Sequence, residues 1–321
     1  MLAEKILQGD VRAGARLMRW ADDRDPRAVP ELQALYPHTG RAHIVGFTGN
    51  PGSGKSTLVN AAVRVLRQAG KRVGVVAIDP SSPYTGGAIL GDRIRMQKHS
   101  GDPGVFIRSL ATRGNLGGLS RSTNDVVTVL DAMGFDVVIV ETVGVGQDEV
   151  DIVKTAHTSV VILVPGLGDD IQSMKAGILE IADIFVVNKA DRDGAERVVG
   201  ELKYLQHLLS TSEGHRSIPI VKTVATQSQG IDEMVQAISD HRTDLKDAGR
   251  LVAREEDRAR ETLRRMLMER FLVHLDALER DGLDLEAVIA DIVARRQDPY
   301  SAVNAVFAAA LARPMDGEPD P

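Results

Sequence analysis

The sequence predicts an α/β protein built on a mainly parallel sheet, extended at both ends by helices. Three observations carry the expectation. A glycine-rich loop, Gly49 to Thr57, lies between a short apolar run and a stretch with helical periodicity. From residue 43 to about 247, continuous Val/Ile-rich runs alternate with helical stretches, the pattern of strands covered on both faces. Beyond residue 248 the composition turns to a mixed-charge run with helical spacing. The chain divides accordingly into an N-terminal helical extension (1–40), a core domain (41–247) and a C-terminal helical region (248–321).

Residues up to about 40 read as helical and separate from the core domain. Ala15, Leu17, Met18 and Trp20 line one helix face, and Pro26, Pro30 and Pro37 punctuate the stretch after it. The acidic Asp22, Asp23 and Asp25 favour packing against the next domain over a membrane-surface helix. In the core, the expected strands are His43–Thr48, Arg72–Ile78, Gly104–Ile107, Phe135–Val140, Ser159–Val164, Asp183–Val187 and Ser217–Val221. After Lys55, apolar residues Leu58, Val59, Ala62, Val63, Val65 and Leu66 recur at helical spacing, so a helix joins the first two strands as a right-handed parallel βαβ pair. In the C-terminal region, Leu263, Leu267, Phe271, Leu275 and Leu278 repeat against Arg254–Arg265, which describes an amphipathic helix. Helices over roughly 284–294 and 299–311 come next. Two readings of this region stay open: packing on the chain's own core, or a homodimer interface.

Composition bounds the chemistry. The 321 residues suffice for one large or two modest domains, and 43% hydrophobic with 26% charged is ordinary for a globular protein. A formal charge of −6 provides no global basic field to draw nucleic acid or anionic lipid, so neither is expected as a partner. The chain has no cysteine, which excludes disulfides, thiolate metal sites, Fe–S clusters and cysteine nucleophiles. Met1–Leu7 does not read as a signal peptide, and the strongest apolar run, Val160–Val164, is too short to cross a bilayer. A cytoplasmic location is expected.

Gly49-Asn50-Pro51-Gly52-Ser53-Gly54-Lys55-Ser56-Thr57 fits G-x-x-x-x-G-K-[ST] in full. Strand, glycine loop and helix is the arrangement in which backbone N–H groups wrap a phosphate at the positive end of a helix. Lys55 brings a point charge to the β- and γ-phosphates, and Ser56 offers a hydroxyl to Mg²⁺. Asn188-Lys189-Ala190-Asp191 stands just past another strand. The Asp191 carboxylate can accept from guanine N1–H and the exocyclic amine, whereas adenine offers an acceptor there, so GTP is favoured over ATP. Asn188 and the Lys189 stem brace the loop and base; a helix cap is the plainer reading of Asp191. Thr223-Val224-Ala225 falls where a backbone N–H reaches guanine O6, although the usual Ser-Ala pair is absent.

Glu141-Thr142-Val143-Gly144 ends a strand at the sheet edge where ligands of open α/β sheets bind. It matches D-x-x-G with Glu for Asp: Glu141 can hold Mg²⁺ directly or through water, and the Gly144 amide can sense the γ-phosphate. Val145 and Gly146 intervene before Gln147, so the water-orienting register of Ras-like proteins is missing. Slow intrinsic hydrolysis, accelerated by a partner, is the expectation. Asp79 is a candidate for positioning the attacking water and Asp92 for a metal ligand, around a Thr85-Gly86-Gly87 segment suited to a switch; both are also ordinary loop aspartates. Gly166–Asp170 resembles a further switch loop, with Lys175 one turn on, or else Asp169 is a helix cap. The eight histidines are dispersed, without H-x-H or H-x-x-x-H, which speaks against a transition-metal site.

In family order, Asp79–Ser82, Gly86–Met96, Arg113–Ser120, Glu141–Gln147 and Asn188–Asp191 resemble the MeaB/ArgK group, bacterial relatives of the human methylmalonic aciduria type A protein. The likeness covers about residues 40–247. The resemblance implies a P-loop G domain of the SIMIBI type, unlike Ras with its antiparallel strand. It further implies binding of GTP or GDP with Mg²⁺, and a chaperone role toward an adenosylcobalamin-dependent acyl-CoA mutase, usually methylmalonyl-CoA mutase. Such a protein gates cofactor loading, protects the mutase from inactivation and is typically a homodimer. Carried over, Lys175 and Asp169 fall in the loop that signals to the mutase. Departures are Asp148, where the family commonly has Ser, and Val224 for the usual Ser. Two other classes compete. A GTP-dependent metallochaperone would need clustered His or Cys ligands, and a small-molecule kinase would need an acceptor pocket with a general base. Neither constellation stands out, and the older family label of an arginine/ornithine transport kinase finds no support in these residues.

Overall fold

Strands β1 (His43–Gly49), β2 (Val73–Asp79), β3 (Val105–Ala111), β4 (Val137–Glu141), β5 (Thr158–Leu163), β6 (Ile184–Asn188) and β7 (Ile220–Thr223) realise the seven expected runs. All pairings are parallel, in the order β3-β2-β4-β1-β5-β6-β7. The computed structural model describes residues 1–79, 99, 101–111, 121–142, 152, 154–166, 181–209 and 217–312. Every residue of β1, β4, β5 and β6 is buried, which is why these runs are continuously apolar and not alternating. One expectation needs correcting: β1 and β2 are parallel but do not pair. β4 is inserted between them, with Val137 opposite both His43 and Val73.

The period-2 alternation of each strand assigns its residues to two cores. On one face, Val138 and Val140 of β4 and Val76 and Ile78 of β2 pack with Leu17, Met18, Leu35, Leu130 and Met133. These belong to α2 (Val11–Asp22), α3 (Ala28–Leu35) and α5 (Arg121–Ala132) or border them, and Ala3 and Ile6 of α1 (Leu2–Leu7) join the same core. On the other face, Val137 and Ile139 join Phe47 and Val45 beneath α4 (Lys55–Gln68) and α7 (Ile231–Asp247). Phe185, Val187 and Val161 pack with α6 (Ala195–Leu209). The N-terminal helices therefore share a core with the sheet and do not stand apart. Helix α2 begins at Asp10, whose carboxylate accepts from the Arg12 and Ala13 amides at 2.8 and 3.0 Å. Its buried stripe is Ala13, Gly14, Leu17, Met18 and Ala21; Ala15 and Trp20 lie at the margin, because the i, i+4 rows run through 13-17-21 and 14-18.

The chain divides into two compact units, Met1–Glu256 and Asp257–Pro321. Helix α8 (Arg250–Arg280) runs through the division, followed by α9 (Leu285–Val293) and α10 (Pro299–Ala312). Within the second unit, Phe271 and Phe307 meet at 5.3 Å between ring centroids, and His274 Nε2 lies 2.9 Å from the Ala310 carbonyl. Leu263, Leu267, Met268, Leu272 and Val273 of this unit are exposed. Among the described residues, no helix is long and apolar enough to cross a membrane.

Candidate nucleotide site

The loop from β1 to α4 is shaped by glycines that nothing else can replace. Gly49 has φ 143°, and a Cβ there would meet the Ile162 carbonyl oxygen at 2.3 Å. Gly54 has φ 92°, and a Cβ there would meet Asn188 Nδ2 at 2.5 Å. Gly54 stands at the N-cap of α4 and supplies no capping side chain, so the positive end of the helix faces the loop. The Lys55 ammonium, nearly buried, donates to the carbonyls of Gly49 at 2.6 Å and Asn50 at 3.0 Å. The Ser53 hydroxyl is fully buried and meets no hydrogen-bond partner among the described residues. A cradle of this kind, with backbone, ammonium and hydroxyl turned inward, fits a polyphosphate.

Alternation along β4 places Glu141 on the face of Val137 and Ile139, which is the face that α4 covers. Ser56, in the first turn of α4, donates to Glu141 Oε1 at 2.6 Å; both side chains are buried. A hydroxyl and a carboxylate side by side are hard oxygen donors, the set that suits Mg²⁺. No group of three or more His, Cys, Asp or Glu is placed to hold a metal ion among the described residues. A contact that the sequence pattern did not suggest closes this corner. Thr142 donates from Oγ1 to Thr48 Oγ1 at 3.2 Å, and its amide bonds the Phe47 carbonyl, also at 3.2 Å. Only the position of each threonine, directly beside Gly49 or Glu141, signals the pair.

The Asn188–Asp191 segment is tied to the Gly49–Thr57 loop. Asn188, at the end of β6, donates from Nδ2 to the Ser53 carbonyl at 2.8 Å. Its Oδ1 accepts from Thr223 Oγ1 at 3.1 Å and the Ala225 amide at 3.2 Å. Lys189, held at φ 55°, extends its ammonium to the Gly52 carbonyl at 2.8 Å. The Arg192 amide closes a turn on the Lys189 carbonyl at 3.0 Å, and Asp191 within it is exposed. Thr223 is the last residue of β7, not beyond the strand as the sequence suggested. The Val224 amide is engaged by the Gln229 carbonyl at 3.1 Å. Arg64 of α4 also bonds the Ser228 hydroxyl, joining the phosphate helix to the Thr223–Gln229 loop.

Asp79 ends β2, paired with Ala111 at the same edge of the sheet. Asp92, Gly144, Gln147, Asp169 and Lys175 lie outside the described residues, as do Gly86–Met96 and Arg113–Ser120.

The family model described as methylmalonyl Co-A mutase-associated GTPase MeaB matches residues 15–280. A candidate GTPase of Pyrococcus abyssi is 49% identical over 310 residues, covering 95% of this chain and 95% of the relative. GTPase ArgK of Escherichia coli is 37% identical, covering 86% of this chain and 85% of its own. The mitochondrial methylmalonic aciduria type A homolog of Mus musculus is 35% identical over 72% of this chain and 56% of its own length. Among solved structures, that of an LAO/AO transport system kinase superposes with a TM-score of 0.72 at 27% identity, covering 97% of this chain and 96% of the other.

Proposed function

Because the chain belongs to the MeaB/ArgK family of mutase-associated GTPases, we propose that it is the GTP-driven chaperone of an adenosylcobalamin-dependent acyl-CoA mutase, with methylmalonyl-CoA mutase as the client. The chain is a P-loop GTPase. The client, the metal, the homodimer and the role of each residue are what the proposal adds. The family's description, with its mutase association, supports the client class.

In this reading, water attacks the γ-phosphorus of GTP and the bond from that phosphorus to the β–γ bridging oxygen breaks, leaving GDP and phosphate. Lys55 exchanges its bonds to the Gly49 and Asn50 carbonyls for oxygens of the β- and γ-phosphates. The backbone from Gly49 to Thr57 cradles the phosphates. Ser56 and Glu141, with Asp92, hold Mg²⁺, which offsets the charge spread over the phosphate oxygens. Asp79 positions the water, and the Gly144 amide reads the γ-phosphate. Asp191 accepts from guanine, braced by Asn188 and Lys189, with Thr223, Val224 and Ala225 bordering the base. Gln147, Asp169 and Lys175 belong to segments that report nucleotide state to the mutase. Residues 41–247 form the G domain, with 1–40 as its helical extension and 248–321 as the dimerising region. The exposed apolar side chains Leu263, Leu267, Met268 and Leu272 of α8 support the homodimer. The cytoplasm is the proposed location.

The observation that carries the GTPase reading to its residues is the double tie of Asn188 to Ser53 and Lys189 to Gly52. It ties the segment proposed to read the base to the loop proposed to cradle the phosphates. Two measurements test the proposal. Asp191→Asn swaps an acceptor for a donor and should shift preference from GTP toward xanthosine triphosphate by at least 100-fold; unchanged GTP affinity would refute the role. With purified mutase, GTP turnover should rise and release free phosphate. Phosphate found instead on a small metabolite would favour a kinase, the activity for which the similar solved structure is named.

A further inference from the structure

The histidines are scattered in sequence, yet His43, His157 and His241 meet at the N-terminal edge of the sheet, the end away from the phosphate loop. We propose that they form, with Thr158, Asp183, Arg254 and Glu255, a buried clasp that fastens the first turns of α8 to the sheet and that opens in mild acid.

The clasp is a continuous polar line. His43 Nε2 lies 2.8 Å from Thr158 Oγ1, and the same oxygen lies 2.8 Å from His241 Nδ1. His241 Nε2 is 3.2 Å from Asp183 Oδ1, and Asp183 also receives Arg254 at 2.5 and 2.9 Å and the Ser159 amide at 2.8 Å. Arg254 donates in addition to the His157 carbonyl at 2.7 Å. His157 stacks on His43 with ring centroids 6.0 Å apart, accepts the Ile44 amide at Nδ1 and reaches Glu255 at 2.5 Å through Nε2. The order Asp183–His241–Thr158 is that of a hydrolytic triad, but Thr158 and His241 are 0% and 4% exposed, so no substrate reaches them. What the line does reach is α8: its two α8 members are the last residues but one and two of the first unit, and the helix continues as the second unit.

Every charged group facing His43 argues against a proton there. Burial holds its imidazole down to about 2, and Arg242 and Lys246 of α7, with His157 and His241, add repulsion. Asp183 is the buried carboxylate of the line: its own burial pushes upward, but bonds from His241 and Arg254 prevail and hold it down to about 2. The sign for His43 comes from linkage. His43 reaches α8 through the His157 ring stacked on it, which Glu255 and Arg254 hold in place, so the closed clasp excludes a proton that an open one accepts at 6.5. Closure is thus complete above pH 6.5 and weakens as the pH falls below it, about ten-fold by pH 5.5 relative to pH 7.5.

Hydrogen exchange of the full-length protein, corrected for intrinsic rates, tests this. Amides of residues 250–256 should open about ten-fold more at pH 5.5 than at 7.5, while those of β6 keep their protection. In His43→Gln, which cannot take the proton, the difference should vanish. In Arg254→Ala, the segment should already be open at pH 7.5. Equal opening at both pH values in the wild type, a retained pH effect in His43→Gln, full protection in Arg254→Ala, or an equal rise across β6 would each overturn the clasp.

Discussion

The two edges of one sheet treat buried polar groups in opposite ways. At the N-terminal edge, His43, Thr158, His241, Asp183 and Arg254 satisfy one another, and the backbone plays a supporting part, although the neighbouring Ser159 hydroxyl is buried without a partner among the described residues. Among the described residues at the C-terminal edge, the glycine loop leans on main chain: Lys55 donates to two carbonyls and Asn188 to a third, while the Ser53 hydroxyl finds no partner. Buried polar groups demand partners. An edge that closes its own network is finished as a structure, whereas an edge held by backbone carbonyls and glycine-shaped space is ready to exchange those bonds for a ligand's. The difference separates a structural cluster from a binding site even where both are rich in titratable residues.

Substitutions at each edge break or sharpen that contrast. The largest effect is expected at Lys55→Ala, which should weaken GTP binding beyond 100-fold, about 3 kcal/mol for a charge-assisted contact to phosphate. Calorimetry showing wild-type affinity in that variant would end the account of the cradle. Asp183→Asn should act on folding instead. It removes the charge that Arg254 and His241 share and should cost about 3 kcal/mol in denaturant unfolding, with GTP affinity unchanged. A loss of nucleotide binding without a loss of stability would erase the distinction between the edges. The smallest effect belongs to Thr48→Val, which strands the Thr142 hydroxyl for about 1 kcal/mol of stability. Because this pair sits beside both Gly49 and Glu141, turnover should fall more than affinity, and Thr48→Ser should restore it. Equal losses in Thr48→Ser would sink the positioning role.

Much of the fold was legible in the residues. The apolar runs marked all seven strands, most plainly β1, β4, β5 and β6, where full burial on both faces leaves no room for alternation. The helices at 284–294 and 299–311 emerge as α9 and α10 within a residue or two. The 1–40 segment, expected to pack against the next domain, lends Leu17, Met18 and Leu35 to the sheet's core; helical periodicity says which face is apolar but not which residues it meets. The neighbours of β1 were hidden for the same reason: strand order is set by which faces and edges find partners across a hundred residues. At the site, the phosphate loop and the Asn188–Asp191 segment were readable as local patterns. The tie between them, Asn188 to Ser53, spans 135 positions.

The amino-acid order alone determined the parallel α/β class, the glycine-shaped phosphate loop and the family, because each is written in contiguous residues whose backbone preferences and burial are local. Tertiary structure alone decided that Glu141 faces Ser56, that Asn188 and Lys189 hold the loop, and that three distant histidines converge beneath the sheet. Those outcomes depend on the order and register of parallel strands, which place one end of each strand at the nucleotide loops and the other at the clasp. No short-range preference encodes that arrangement.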